Sequence, residues 1–420
     1  MGAGDGGRLV AAVRRGDVEQ VRELLEAGAD PDTRDQSEGV PVLCLAVAAY
    51  DQPVAEALVT AGADPLRRLP DGTTPLLRAM DGGSLWLTWA VFPDVAVRPG
   101  PVREELLARA RLRARTGPEA DLRRRTGLPG PVERTRLEDE TGCWYEQLTL
   151  GGLTLRDGHL AILTALEAKL RLRTPFAELL RRALAYPDRD HVVWSQSVSA
   201  LGCRVDEETW TAAEGLSRDP DPLNRLFAAD VLLSLIIGDL ARGRQPFADR
   251  AKELVPWAER ERDVEVLQVL LNALTWADGP EAEAVGLSYA AHPDPRVRSW
   301  TPDLLDAGTD RLGPESLAAV LALARDPDAD VRGRTCYWLA HYRGTEPEIA
   351  DVLLELTRDE RQRTRAYAVA GLASRDDPRC VEAERRIGPL EAEGEYAHES
   401  LPLTAVWHYR RRQEERGSDG

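Results

Sequence analysis

A seven-residue string, Asp326-Pro327-Asp328-Ala329-Asp330-Val331-Arg332, returns along the chain and restricts it to few architectures. His292-Pro293-Asp294-Pro295-Arg296-Val297-Arg298 precedes it, and Asp359-Glu360-Arg361-Gln362-Arg363-Thr364-Arg365 repeats it more loosely. Arg298, Arg332 and Arg365 fall 34 and 33 residues apart, and each leads into a run of small and apolar residues such as Ala368-Val369-Ala370-Gly371-Leu372. A fixed period of this length is the signature of stacked helical units, in which each unit buries its apolar face only against its neighbours. The expected fold class is therefore all-α: tandem helical-repeat solenoids.

The N-terminal segment has a period of its own. Two short amphipathic patterns, broken at Gly16, run from Leu9 to Gly28-Ala29-Asp30-Pro31. Gly28 can adopt the left-handed conformation that ends a helix, and Gly62-Ala63-Asp64-Pro65 repeats it 34 residues on. Gly39-Val40-Pro41-Val42-Leu43 and Gly72-Thr73-Thr74-Pro75-Leu76 open successive units 33 residues apart. Pro75 suits a first helical turn, where no amide donor is needed and φ is preset. Over roughly residues 5–95 this resembles ankyrin repeats, whose unit of about 33 residues carries Thr-Pro-Leu-His-x-Ala. Cys44 and Leu77 stand where that pattern has His, and Pro41-Val42 replaces Thr-Pro. The third unit lacks a closing Gly-Ala-Asp and runs into Ser84-Leu85-Trp86-Leu87, so the stack is expected to be capped by the chain beyond it.

From about residue 186 the second array is continuous. Trp194, Arg225, Leu267, Arg298, Arg332 and Arg365 mark equivalent positions, and the one long step is explained by an insertion at 238–252 containing Gly243 and Pro246. Helix pairs with Asp-Pro at the inner turn and Val-Arg opening the second helix resemble bacterial HEAT repeats over roughly 186–385. Tetratricopeptide repeats share the period but have a different Trp/Gly/Tyr/Pro pattern. The HEAT resemblance implies that Asp294, Arg298, Asp326 and Arg332 hydrogen-bond between neighbouring units. The resulting organisation is ankyrin repeats at 1–97, an Arg-rich helical linker at 98–137, a connector at 138–185, the HEAT array at 186–385, and a capping helix and tail at 386–420.

The linker holds eleven arginines against five acids over 98–136. It reads either as a patch for an acidic partner or as a solvated helical segment that offsets the acidic remainder. Within the connector, Cys143 to Leu155 fits a β-hairpin around Gly151-Gly152 or a loop between helices. His159–Leu172 and Pro175–Tyr186 come next as helical patterns.

A net charge of −17 argues against general nucleic-acid binding, which needs cations to displace counterions from phosphates. Lysine is confined to Lys169 and Lys252, and with abundant Ala, Gly and Arg this points to a high-GC bacterial genome. Cys44, Cys143, Cys203, Cys336 and Cys380 are odd in number and lack CxxC spacing, which fits reduced thiols in the cytoplasm. No apolar run approaches the ~18 residues of a membrane span, and the N-terminus carries neither a secretory signal pattern nor a good myristoylation site, with Gly6 where Ser or Thr is preferred. The histidines (159, 191, 292, 341, 398, 408) never fall in metal-ligand spacing, and phosphate-loop, dinucleotide, zincin and hydrolase motifs are missing. Asp188, Asp190 and His191 lie close together without a spaced nucleophile, and His292 suits a turn cap. No cofactor or metal is expected.

In the HEAT family the second helix of each pair lines the concave side. Helix spacing then places Gln196 and Ser199, Phe227 and Asp230, Asn272, Trp300 and Asp303, Arg334, Tyr337 and His341, and Tyr367 on one stripe. Phe227, Trp300 and Tyr367 could instead pack between repeats. Aromatics and arginine with interleaved acids are what protein hot spots use, so the expected function is a non-enzymatic adaptor for a protein partner, using the HEAT concave face and the ankyrin surface. Two other functions remain in view: an enzyme resembling HEAT-like DNA glycosylases or bilin lyases, and a regulator that meets an acidic partner through the Arg-rich segment.

Overall fold

The computed structural model describes residues 3–37, 39–243, 249–277, 279–305, 311–388 and 400–418. The chain is mostly helical and separates into two compact units, Met1–Arg204 and Val205–Gly420. Among the described residues, no helix is long and apolar enough to cross a membrane.

In the first unit, Ala3–Arg15 pairs with Val18–Glu26, Val42–Ala48 with Gln52–Thr60, and Pro75–Gly82 with Leu85–Ala90. Local chemistry sets the boundaries. Asp17 and Asp51 cap the second helices of the first two pairs, accepting from the amides of Gln20 and Val54 at 3.1 Å each. Thr74 caps the third pair by accepting from Leu77 N–H at 3.1 Å, with Pro75 as the first helical residue. Gly28 (φ 92°) and Gly62 (φ 103°) turn the chain out of the helices. As the missing third terminator suggested, the stack is covered by later helices: Pro101–Thr116 and His159–Lys169 pack on Pro75–Gly82. One core runs from Leu9 and Val21 through Leu58, Leu76 and Leu106 to Ile162 and Val193.

The Arg-rich segment folds back on its own unit. Asp81, 7 % exposed, receives Arg109 Nε at 2.7 Å and Arg113 Nε at 2.6 Å. Asp121, 1 % exposed, receives Arg113 Nη1 at 2.7 Å and also pairs with Arg124 and Arg125. Helices occupy Pro101–Thr116 and Pro118–Thr126. The chain then forms an antiparallel sheet of β1 (Glu133–Glu138), β2 (Trp144–Leu150) and β3 (Leu153–Arg156) in that order. Of the two alternatives for 143–155, the hairpin is the one that forms. Gly151 and Gly152 both have positive φ (59° and 80°), the requirement of a two-residue turn closed by the Leu150–Leu153 pair.

In the second unit, aspartates cap the second helices. Asp221, Asp263, Asp294 and Asp328 accept from the amides of Leu223, Glu265, Arg296 and Asp330 at 2.9–3.0 Å. The repeated arginines do two things at once. Arg298 donates through Nη1 to the carbonyls of His292 and Pro293, fixing its own turn. Its other edge forms a two-point contact with Asp326, at 2.7 and 2.8 Å, in the next turn. Arg332 does the same to Asp326 O and Pro327 O, and then to Asp359 at 2.7 Å and Glu360 at 3.0 Å. Arg225 grips Glu261 at 2.9 and 3.0 Å. Burial would raise the Glu261 carboxyl, but Arg225 and nearby N–H donors hold it down at about 2. Arg365, at the last step, uses the carbonyls of Arg386 and Ile387 instead of a carboxylate. His292 is a turn cap, its Nδ1 accepting from Asp294 N–H at 3.1 Å.

One helix departs from the expected continuity. The run from Pro295 stops at Arg298, and Thr301–Leu304 is a 3₁₀ turn. Pro302 supplies the reason, since it cannot donate to the helical ladder and crowds the preceding turn. Of the insertion expected at 238–252, residues 244–248, including Pro246, lie outside the described residues, as do 389–399 with His398. The closing helix, Ser400–Ser418, buries Ala405, Val406 and Tyr409 and packs on Gln362–Ser374. Arg412 reaches Asp376 at 3.0 Å and Ala373 O at 2.7 Å, while Trp407 points outward.

Candidate functional site

Six of the eleven residues expected on the stripe come together on the second unit. Arg334, from the helix Ala329–His341, lies 3.8 Å above the Trp300 ring and donates through Nε to Asp303 Oδ2 at 2.9 Å. Three contacts therefore fix the guanidinium: its stem in the helix, its flat face on the indole, and its Nε edge on the carboxylate. Its terminal Nη groups take no protein partner among the described residues. Desolvation pushes the Asp303 carboxyl up, and Arg334 only partly offsets this.

One turn further on, Tyr337 is 44 % exposed and meets Tyr367 edge-on at 5.0 Å and His341 at 4.5 Å. His341 Nδ1 lies 2.8 Å from Tyr337 O, and the ring is solvent-facing. His341 also borders a cavity of about 820 Å³ whose lining includes Tyr342, Arg343, Glu346 and Arg375. Arg375 spends its Nη groups on Tyr342 O (2.7 Å) and Gly371 O (3.1 Å). Two acids at the cavity are matched by arginines, Asp376 by Arg412 and Arg416 and Asp377 by Arg379, while Glu346 accepts from Tyr342 O–H at 3.1 Å.

The other five stripe residues do not join this cluster: Gln196 and Ser199 belong to the first unit, on the helix Val192–Gly202, and three stand elsewhere in the second. Phe227 is fully buried, Asp230 is 7 % exposed and Asn272 is half-buried. Tyr367 touches the cluster but is 3 % exposed. For Phe227, Asp230 and Tyr367 the outward placement is corrected: all three are buried within the array. Each residue advances about 100° around a helix, so an uncertainty of one position moves a side chain from the groove to the core. Sequence reasoning missed Arg363, which lies 5.9 Å over the Tyr367 ring four residues before it, and Trp276, 46 % exposed just past Val264–Leu274.

The acid–histidine cluster of the first unit is structural. His191 is fully buried; its Nδ1 accepts from Val193 N–H at 3.2 Å and its Nε2 faces Asp157 Oδ2 at 3.2 Å. Tyr186 stacks on the ring at 4.2 Å and Trp144 abuts it at 4.6 Å, leaving no approach for a substrate. Asp188 and Asp190 shape the turn before it. The thiols of Cys336 and Cys380 are raised by burial, the opposite of nucleophile activation.

The family model described as ankyrin repeat matches residues 9–36. The 2-5A-dependent ribonuclease of Mus musculus is 40 % identical over 75 residues, 18 % of this chain and 10 % of that protein. Its Homo sapiens counterpart is 37 % identical over 79 residues, 19 % of this chain and 11 % of that protein. The chain thus spans about a tenth of the length of the curated relatives it matches. Among solved structures, the X-ray structure of YIBA_ECOLI is 15 % identical with a TM-score of 0.42, covering 59 % of this chain and 96 % of its own. The crystal structure of an engineered protein is also 15 % identical, with a TM-score of 0.41 over 97 % of this chain and 99 % of its own. The family these comparisons place within the first unit is the ankyrin repeat, at residues 9–36.

Proposed function

We propose that the chain is a non-catalytic cytoplasmic adaptor that holds a protein partner on the Trp300–Arg334–Tyr337–His341 face of a HEAT-type array, with the ankyrin stack as a second protein-binding surface. The observation that carries this reading is the Arg334 guanidinium, held in place by Trp300 and Asp303 beside a half-exposed Tyr337. A rigid arginine fork and a pre-packed aromatic lose little freedom on binding, which is the economy of an interface hot spot. The ankyrin match supports the same class of function, because stacked repeats offer extended surfaces for partners. The Arg-rich segment is less suited to the role, since Arg109, Arg113, Arg124 and Arg125 are already committed to Asp81 and Asp121.

The combined variant Trp300→Ala/Tyr337→Ala should lose capture of the partner from host extract while its helical content stays at the wild-type level by circular dichroism. Unchanged capture would refute the assignment of this face. A second reading, a HEAT-like nucleic-acid enzyme, draws on the raised Asp303 carboxyl beside Trp300 and Arg334. Against it, residues 205–420 hold 27 basic and 42 acidic side chains, a balance that repels a polyanion. Salt-sensitive retardation of DNA on a gel would favour that enzyme; no retardation at low salt would dismiss it.

A further inference from the structure

Arg156, the last residue of β3, is a partly buried cation that pairs with no carboxylate among the described residues. Its guanidinium lies 4.1 Å from the centre of the Tyr50 ring and 5.0 Å from that of Tyr145. Nη1 donates to Ser84 Oγ at 3.1 Å, Nε is buried without an acceptor, and Nη2 takes no protein partner among the described residues. Burial lowers its proton affinity. The contrast within the same unit is sharp: Arg113 and Arg182, both buried, hold Asp81 and Glu167 at 2.6 and 2.8 Å. A desolvated charge lacking its counter-charge is costly, and ring contacts return only about 1–2 kcal/mol of that. The missing partner is an anion.

A cavity of about 290 Å³ adjoins Arg156, walled by Tyr50, Trp86 and Tyr145. Glu138, Asp139 and Glu140 belong to its lining as well. Asp139 is already used, accepting from Trp86 Nε1 at 2.6 Å and from the amides of Thr141 and Cys143. Glu138 and Glu140 are exposed. The lining therefore carries both signs of charge, the Arg156 cation and the carboxylates of Glu138 and Glu140, together with aromatic faces. A simple anion would be repelled by this acidic rim and a simple cation by Arg156. The volume lies at the lower end of the roughly 300–1,000 Å³ of sites for drug-sized ligands, which favours a small ligand.

We propose that this cavity binds a free α-amino acid, its carboxylate on the Nη edge of Arg156 and its ammonium towards Glu138 and Glu140. The site lies in the first unit and stands independently of the adaptor face.

The test is calorimetric titration of the full-length chain with each standard L-amino acid, and with acetate and methylammonium as half-ligands. At least one amino acid should bind one-to-one with Kd below about 1 mM, and at least tenfold more tightly than either half-ligand. At a hundredfold excess over Kd it should raise the melting temperature by about 5 °C. Arg156→Gln and Glu138→Gln/Glu140→Gln should each weaken binding tenfold or more. The second variant changes only exposed side chains, so it remains informative if the first misfolds. Failure of every amino acid to bind, acetate binding as tightly as any of them, or undiminished binding by the rim variant would each overturn the proposal.

Discussion

Asp81→Ala should destabilise the first unit by about 3–5 kcal/mol, the range for removing one partner of a buried ion pair. The carboxylate sits where Pro75–Gly82 meets Pro101–Thr116 and receives Arg109 and Arg113. Without it, Arg113 keeps Asp121 but loses its Nε acceptor, and Arg109 loses both of its contacts. Hydrogen exchange followed by mass spectrometry should show amides of both helices losing protection together, with residues 205–420 unchanged. A second measurement fixes the sign of the pH dependence. Burial would raise the Asp81 carboxyl, yet Arg109 and Arg113 leave it below its ordinary value. A group lowered in the folded state contributes stability above its unfolded value near 3.9, and that contribution fades as pH falls through the lower folded value. The wild-type chain should therefore lose more stability than Asp81→Asn as the pH is lowered below about 4. Equal acid sensitivity would show that the carboxylate is not the coupling group.

Gly83→Ala is expected to be the most damaging conservative change in the chain. Gly83 ends the helix Pro75–Gly82 with φ 75°, a conformation that costs an L-residue about 1 kcal/mol. The larger effect is steric. A Cβ here would stand 1.9 Å from the backbone carbonyl oxygen of Arg156 and 2.8 Å from the His159 ring. Gly83 O also accepts from Gly158 N–H at 3.1 Å, so the third helix pair cannot draw away without breaking that contact. The expected loss exceeds about 4 kcal/mol, the range reserved for disrupted packing of this kind. Gly28→Ala is the control: φ is 92° but nothing lies within 4 Å of a Cβ, so the cost should stay near 1 kcal/mol. Urea titrations of both variants separate the two terms. Similar losses would show that conformation, not contact, governs Gly83.

The parts of this fold that were legible in the sequence are those determined locally. Gly28 and Gly62 turn the chain out of helices because a residue without Cβ accepts positive φ, and Pro75 starts a helix for a reason internal to itself. The Arg298 and Arg332 contacts to the next turn were expected from the HEAT resemblance and not from any local signal. Distant pairing was not readable. Nothing near Arg109 or Arg113 in sequence announces Asp81, about thirty residues back, so a folded ion cluster reads as a charged linker. Strand β1 was hidden for a related reason. Glu133-Arg134-Thr135-Arg136 is exposed on both faces and carries no alternation of polar and apolar residues. At the proposed partner face, residue types were legible but orientation was not: Tyr337 faces out, Tyr367 faces in, and Pro302 interrupts the helix on which Trp300 and Asp303 were placed.

The adaptor account is tested most directly by installing a photo-crosslinking amino acid at Tyr337, and in a separate variant at Glu355, an exposed position on the first helix of a neighbouring pair. Irradiation in host cells should join a defined protein to the chain from position 337 and not from 355. Equal labelling from both positions, or none from 337, would contradict a partner held on this face.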